Sequence, residues 1–502
     1  MNKNTSNTHQ AFWIALASLL SFSFGIISAA ILSRYFPKAD YGTYKQVLYI
    51  YSTLLVIFTL GLPQAYSFFL PRTEDKHAKD VINRITGLFL LLGGAFSIIL
   101  YFSAHQIANI LRNDDLELAI KIFSPVPFFL LPSMGIESIF SVYRKTHYAA
   151  IYTVITRIFM LLCIVLPVIV FETNYVGALI GFTVSSFLTF LVTLYIKYLP
   201  VKEYEKENSD LTYQEIFSFA LPVMIASLWG VIELSSNQFF ISRYFGTEAF
   251  AEYSNGAIEL PLMAAVIGAT SAVLAPIFSR MAHEKVDIHK DLYPLWIRVF
   301  EKSSMLTYPI LIFSIIFAKE IMILFYGMSY ENSAIYFQIF NLYFFFKIIV
   351  YGPYLMNTGR QKIYANAHMY SVFALIPLQF LVLYFINNVI GLVIVALIIK
   401  ILRTFYFLKI IANDFKGKIR DLLPIKLMLK ISVPCVIIGI SVKWLISIGF
   451  DNTSYLIVLF IGSLSYFLIY ALYTYIFKIN YWSIIRPLVE HKLKRFNYVK
   501  KK

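Results

Sequence analysis

The sequence predicts an all-α, polytopic membrane protein of about fourteen transmembrane helices. Three observations carry that expectation. The 502 residues are 59% hydrophobic and 14% charged, whereas soluble domains run near half apolar and about a quarter charged. The apolar residues fall in runs of about twenty, such as Ala11 to Ile31, Ile151 to Phe171 and Tyr455 to Tyr473, long enough to cross roughly 30 Å of hydrocarbon as helix. Most of the 43 Lys and Arg gather in alternate loops, as the positive-inside rule requires if the N-terminus is cytoplasmic. A β-barrel would instead show short alternating segments.

In chain order the runs place helices near 11–33, 45–68, 84–103, 118–141, 150–171, 176–196, 215–241, 252–278, 299–318, 334–356, 367–386, 391–411, 428–448 and 453–477. The first run continues past Ala30 to Arg34, too long for a signal h-region, so it reads as a helix. The longest hydrophilic connections are 197–214, 279–298 and 412–427, all on the Lys- and Arg-rich side, and the outer loops are short. The tail, with Lys492-Leu493-Lys494-Arg495 and Lys500-Lys501-Lys502, reads as a topology anchor at anionic head groups rather than as a nucleic-acid site, although the net charge is +15. Cys163 and Cys435 each lie in an apolar run, so neither a disulfide framework nor a metal site is expected.

The polar stretch 200–213 separates two halves that repeat. Leu32-Ser33-Arg34-Tyr35-Phe36 with Tyr44 matches Ile241-Ser242-Arg243-Tyr244-Phe245 with Tyr253. Phe68 to Arg72 faces Pro276 to Arg280, and Asn174-Tyr175-Val176-Gly177 faces Asn388-Val389-Ile390-Gly391, in the same order. A six-helix repeat returns the chain to its starting side, so two copies run parallel about an axis along the membrane normal. The expected organisation is an N-terminal six-helix lobe over 1–205, a second over 206–415, and two further helices with a basic tail over 416–502.

Six plus six plus two helices, with these motifs, resembles the multidrug/oligosaccharidyl-lipid/polysaccharide (MOP) superfamily, a MATE-like plan, and within it the Wzx-type oligosaccharide flippases. The motifs are Ser33-Arg34-Tyr35-Phe36 with Gly42 and Tyr44, Ser242-Arg243-Tyr244-Phe245-Gly246 with Tyr253, Gly61-Leu62-Pro63, and Gly359-Arg360-Gln361-Lys362. The resemblance implies transport of undecaprenyl-diphosphate-linked oligosaccharide across the bacterial cytoplasmic membrane, for O-antigen, capsule or exopolysaccharide. It further implies polysaccharide polymerase and chain-length machinery as partners. Similar proteins often carry an acidic residue where Asn237 stands; here Glu233 lies one turn earlier. A cation-coupled multidrug exporter or a peptidoglycan-precursor flippase would share the fold. The first would show a carboxylate cluster in the first lobe and the second several Arg in the first two helices, and beyond Arg34 and Lys45 neither pattern is present.

Ionisable residues inside spanning helices cost roughly 2.5 to 3.5 kcal/mol on insertion scales, so they face a cavity or a partner. Arg34, Lys45, Arg157, Arg243 and Lys347 are the expected substrate-binding set, since a diphosphate carries negative charge into the bilayer. Glu233 and Asn237 share a face of the seventh helix, and Glu252, Asn255 and Glu259 are expected to form a stripe on the eighth. Glu233, Asn237 and Glu259 are the candidates for binding a coupling ion, H+ or Na+, with helix-packing pairs to Lys347 or Arg157 as the alternative. Glu137 is a further ionisable residue within a helix.

No cofactor is expected. A membrane polymerase, ligase or acyltransferase would need a large outer loop or clustered His, Asp or Arg at one face, and neither is visible. His283 and His289 flank Glu284 without His-Glu-x-x-His spacing, and no phosphate-cradling Gly-rich loop occurs. The expectation is a transporter rather than an enzyme.

Overall fold

The computed structural model describes residues 7–205, 207–283, 292–347, 351–449 and 453–481. Glu284, His289 and the basic tail of 492–502 lie outside the described residues. The described chain is helical without strands: α1 (Asn7–Tyr35), α2 (Lys38–Thr59), α3 (Leu62–Phe69), α4 (Ala78–Leu111), α5 (Asp115–Phe123), α6 (Val126–Leu130), α7 (Ile136–Val142), α8 (Thr146–Phe171) and α9 (Tyr175–Ile196). The second half continues with α10 (Tyr213–Gly256), α11 (Pro261–His283), α12 (Tyr293–Ile316), α13 (Ala318–Tyr326), α14 (Ser333–Leu342), α15 (Tyr351–Asn357), α16 (Gln361–Phe385) and α17 (Val389–Asp414). A short α18 (Ile419–Leu422) precedes α19 (Ile425–Gly449) and α20 (Tyr455–Ile476).

Ten helices among the described residues are long and apolar enough to cross a membrane, and up to twelve if each bent pair counts as one span. The fourteen expected spans are compatible with this, because the other two fall on interrupted stretches. Expected helix 252–278 is split by the break before Pro261, and expected helix 334–356 is divided between α14 and α15. The chain is thus a multi-pass membrane protein. Phe102, Phe385 and Tyr475 are 73%, 74% and 84% exposed, an arrangement that is unfavourable in water and natural against lipid.

The breaks have local causes. Leu60 and Gly61 take positive φ, and α2 and α3 meet at 41°. Gly246 interrupts α10 at φ 83° and ψ −176°, a region essentially reserved to glycine. The helix ends at Gly256, so Glu259 falls in a non-helical link before Pro261. The expected Glu252–Asn255–Glu259 stripe therefore stops at Asn255. Lys347 likewise stands after a 3₁₀ turn over Tyr343–Phe345, off any helix.

Two packing units emerge. The first comprises 1–255, 326–330 and 365–396, which takes in the whole expected N-terminal lobe; the second comprises 256–325, 331–364 and 397–502. In the first, Phe96 stacks on Phe58 at 4.3 Å and on Tyr51 at 5.9 Å, joining α2 to α4. In the second, α19 and α20 dock on α12. Pro309 removes the N–H that would bond the Met305 carbonyl, and that carbonyl accepts from the Tyr481 hydroxyl at 2.7 Å. The Tyr466 hydroxyl donates to the Pro309 carbonyl at 2.9 Å. Lys443 reaches the Ile316 carbonyl at the end of α12, at 2.7 Å, and Glu320.

The repeat is visible in local detail. The α4 helix has 34 residues, and α12 with α13 spans Tyr293–Tyr326, the same length broken once at Phe317. Each long stretch ends in a left-handed residue, Arg112 and Gly327. Asn174 and Asn388, matched in the sequence, both start a helix by accepting from the backbone N–H two residues on, at 3.1 and 2.8 Å.

Candidate functional site

Along α2 two different environments follow one another, both within the first unit. From Lys38 to Thr53 the helix forms a hydrogen-bonded seam with the 235–255 stretch of α10. Lys38 pairs with Glu252 at 2.7 Å, the Tyr41 hydroxyl donates to Asn255 at 2.7 Å, Gln46 donates to Ser242 at 2.7 Å, and Thr53 meets Ser235 at 2.9 Å. Asn113 completes the set by donating to Gln46 at 2.6 Å and Thr43 at 3.0 Å. Tyr41, Gln46, Ser242 and Asn255 are buried, so these bonds form away from solvent, where leaving one unmade costs more than making it gains. At Gly42 the backbones touch: a Cβ there would lie 2.2 Å from the Thr247 carbonyl oxygen.

The two Ser-Arg segments meet this seam crosswise. Arg243 donates to the carbonyls of Asn109, at 3.2 Å, and Ile110 at the C-terminal end of α4. In the counterpart position the Ser33 hydroxyl donates to the Tyr326 carbonyl at 3.3 Å, and a Cβ on Gly327 would lie 3.7 Å from the Arg34 side chain. Each Ser-Arg segment thus sits at the end of the other half's long stretch, where a cation is favoured by the exposed carbonyls. Lys45 is half-buried nearby, its ammonium 5.6 Å from the Tyr41 ring.

Where the seam ends, Tyr51 and Leu55 of α2 begin to line a cavity of about 450 Å³ between α2, α7, α8 and α9. Its polar wall carries Ser133, Glu137, Ser138, Thr153, Thr156 and Arg157. The Thr153 hydroxyl donates to Glu137 at 3.4 Å. Arg157 reaches the Met160 sulfur at 3.8 Å and lies within electrostatic reach of Tyr51 and Tyr152, and among the described residues no carboxylate lies within ion-pair distance of it. A guanidinium is always charged and carries five donors, so this cavity offers a fixed positive charge to an anion.

The expected ion-coupling residues separate. Glu233 and Asn237 are 4% and 6% exposed. Glu233 faces His368 of α16 at 3.5 Å, rather than Lys347 or Arg157, and Asn237 accepts from Gln379 and donates to Tyr253 at 3.4 Å. Glu259 belongs to the second unit, within electrostatic reach of Lys347 and Lys400. The Lys347 ammonium lies 5.7 Å from the Tyr343 and Phe344 rings. Arg360 of the Gly-Arg motif pairs with Asp414, which also accepts from the Tyr354 hydroxyl at 2.9 Å.

Sequence reasoning missed His368, Lys400 and Lys197. Lys197 follows an apolar run and reads as the start of a loop, yet it is fully buried, donating to Tyr66 at 2.9 Å and Thr86 at 3.3 Å. Its one sequence signal is the aromatic surroundings of Tyr195 and Tyr198.

A family model for the polysaccharide biosynthesis proteins matches residues 8–282. No curated protein matches the sequence. Among solved structures, the lipid II flippase MurJ in an inward closed conformation superposes with a TM-score of 0.68 at 17% identity, covering 94% of this chain and 98% of that one. An inward-facing multidrug resistance MATE transporter of the MOP superfamily gives 0.64 at 14% identity, covering 80% and 99%. A MOP superfamily transporter from Pyrococcus furiosus gives 0.58 at 13%, covering 82% and 97%. With a family model over more than half its length and the fold of MOP superfamily transporters and flippases, the chain belongs to the polysaccharide biosynthesis protein family.

Proposed function

We propose that the protein is a flippase that carries an undecaprenyl-diphosphate-linked oligosaccharide from the cytoplasmic to the outer leaflet of a bacterial cytoplasmic membrane by alternating access. The sugar serves a surface polysaccharide such as O-antigen, capsule or exopolysaccharide. The observation that carries the reading is Arg157, a guanidinium with no carboxylate within ion-pair distance among the described residues, set with Glu137 in a hydroxyl-lined cavity between apolar helices. Such a site binds a diphosphate through charge and fork geometry and sugar hydroxyls through Ser and Thr. With both termini cytoplasmic, the α2–α10 seam lies at the outer face and the cavity opens inward. The two six-helix lobes, 1–205 and 206–415, then rock about the seam, with 416–502 as an accessory pair and tail.

In this scheme Arg34 and Arg243 act at the outer seam, Arg157 contacts the substrate first, and Lys45 in the first unit and Lys347 in the second are further cationic contacts. Glu233 and Asn237 couple transport to H+ or Na+, with His368 as the added partner, and Glu259 serves the same role from its Lys347 and Lys400 surroundings. The likeness to a lipid II flippase over 94% of the chain favours one second reading, a peptidoglycan-precursor substrate. Clean deletion decides between them. Loss of surface polysaccharide with lipid-linked repeat units accumulating inside supports the first, arrest of wall synthesis with accumulated precursor supports the second, and normal growth and export sink both.

A further inference from the structure

We infer that the apolar groove between α8 and α9 holds the polyprenyl tail of the substrate while its diphosphate lies in the Arg157 cavity, an assignment that rests on the flippase reading. The groove encloses about 400 Å³ and is lined by side chains such as Ile151, Ile155, Phe159, Leu188 and Val192. Its distinguishing feature is continuity. Tyr152, Thr156 and Thr189 line both the groove and the polar cavity, so an amphiphile whose head enters one has its first tail carbons emerging into the other.

The polar atoms at this boundary are arranged for such a ligand. The Tyr152 hydroxyl is engaged with Thr193 at 2.7 Å, and the Thr156 hydroxyl donates to the Tyr152 and Thr153 carbonyls at 2.8 and 3.1 Å. Both residues therefore present carbon to the groove. Thr189 is 6% exposed and its hydroxyl is closed off, without a hydrogen-bond partner among the described residues, so it too presents carbon to both spaces. Further along, Pro167 removes the donor for the Cys163 carbonyl, and Gly181 brings its backbone against that carbonyl, where a Cβ would stand at 1.9 Å. The two helices are pinned there and leave the groove between Tyr148–Phe159 and Leu188–Leu199. Drawing polyprenyl carbon into water is strongly disfavoured, so a head moving through a polar path needs a lateral apolar slot beside it.

The test uses the full chain in vesicles of phosphatidylethanolamine and phosphatidylglycerol, with undecaprenyl diphosphate carrying a diazirine in the isoprene unit next to the diphosphate. Labelling is expected on the peptides containing Ile151–Phe159 and Leu188–Leu199, competed by unlabelled undecaprenyl diphosphate. Ile155→Trp and Val192→Trp, at lipid-exposed positions that tolerate bulk, should each lower that labelling at least 10-fold with unchanged size-exclusion elution. Ile169→Trp, exposed on α8 but outside the groove, should leave it unchanged. Saturable binding with labelling on other helices, or groove labelling that unlabelled undecaprenyl diphosphate does not compete and that therefore reports bulk lipid, overturns the tail assignment alone. No saturable binding of undecaprenyl diphosphate to the native chain overturns the flippase reading with it.

Discussion

Two stretches of a single helix, α2, do opposite things. From Lys38 to Thr53, about 22 Å at 1.5 Å per residue, it is zipped to α10 by paired polar groups and by backbone contact at Gly42. From Tyr51 onward it lines an open cavity whose main charge, Arg157, has no ion-pair partner among the described residues. Groups bonded to one another hold two helices together and a charge without an ion pair is open to a ligand, so on the flippase reading the contrast separates a proposed gate from a proposed binding site on one continuous element. It also orders the consequences of mutation, since backbone contact tolerates less than side-chain pairing.

The largest effect is expected at Gly42. A Val side chain there collides with the Thr247 carbonyl, a backbone atom that cannot rotate aside, so the seam cannot close. Transport should fall at least 100-fold while expression and membrane insertion persist. Bifunctional cross-linking of Gln46→Cys with Ser242→Cys, efficient in the native background, should be lost in Gly42→Val. Efficient cross-linking in that variant breaks the assignment of the seam as a gate.

Next comes the cavity. Arg157→Gln removes the fixed charge and should lower transport by about 10- to 100-fold, equivalent to roughly 1.4 to 2.7 kcal/mol, with seam cross-linking intact. Arg157→Lys should recover part of that, because charge survives and the planar fork does not. Equal loss in both variants points to geometry rather than charge.

The comparison also marks what a sequence conveys. Long uninterrupted apolar runs dictate helices because lipid leaves no other way to satisfy backbone groups, so α1, α4, α8, α9, α19 and α20 were legible. The Ser-Arg repeat was legible too, and Arg157 was readable as a cation within a spanning helix. The interruption at Gly246 fell in the connection expected between 241 and 252, but the breaks at Leu60 and Ala257–Leu260 were not legible, because glycine and proline are common in spanning helices and only tertiary contact decides where one stops. The seam was hidden for another reason. Gln46, Tyr41 and Asn255 are ordinary residues until α2 meets α10, and Glu233 finds His368 across 135 positions of sequence, a distance no local pattern encodes.

An intermediate effect is expected at Glu233. Glu233→Gln keeps the shape and removes the charge facing His368, so transport should fall several-fold while thermal stability changes little. If the pair binds the coupling proton, Glu233→Gln should also flatten the dependence of transport on an imposed pH gradient, with His368→Gln giving the same flattening. A loss of rate with the gradient dependence preserved leaves the pair a packing contact.

The smallest effect tests the rim of the seam. Lys38 and Glu252 are partly exposed, 22% and 12%, and pairs of this kind contribute about 1 kcal/mol or less. Lys38→Gln should therefore shift the closed population by no more than about 5-fold and change transport less than that, because the buried bond at Tyr41 and the backbone contact at Gly42 persist. Reversing both charges, Lys38→Glu with Glu252→Lys, restores attraction and should return cross-linking at 46 and 242 toward native levels, whereas either reversal alone places like charges together and should lower it further. Failure of the double reversal to recover means that the ammonium is needed for its second contact, over the Tyr330 ring at 5.7 Å. Tyr330→Leu should then lower cross-linking as far as Lys38→Gln does, which would extend the seam from paired charges to the aromatic residues behind them.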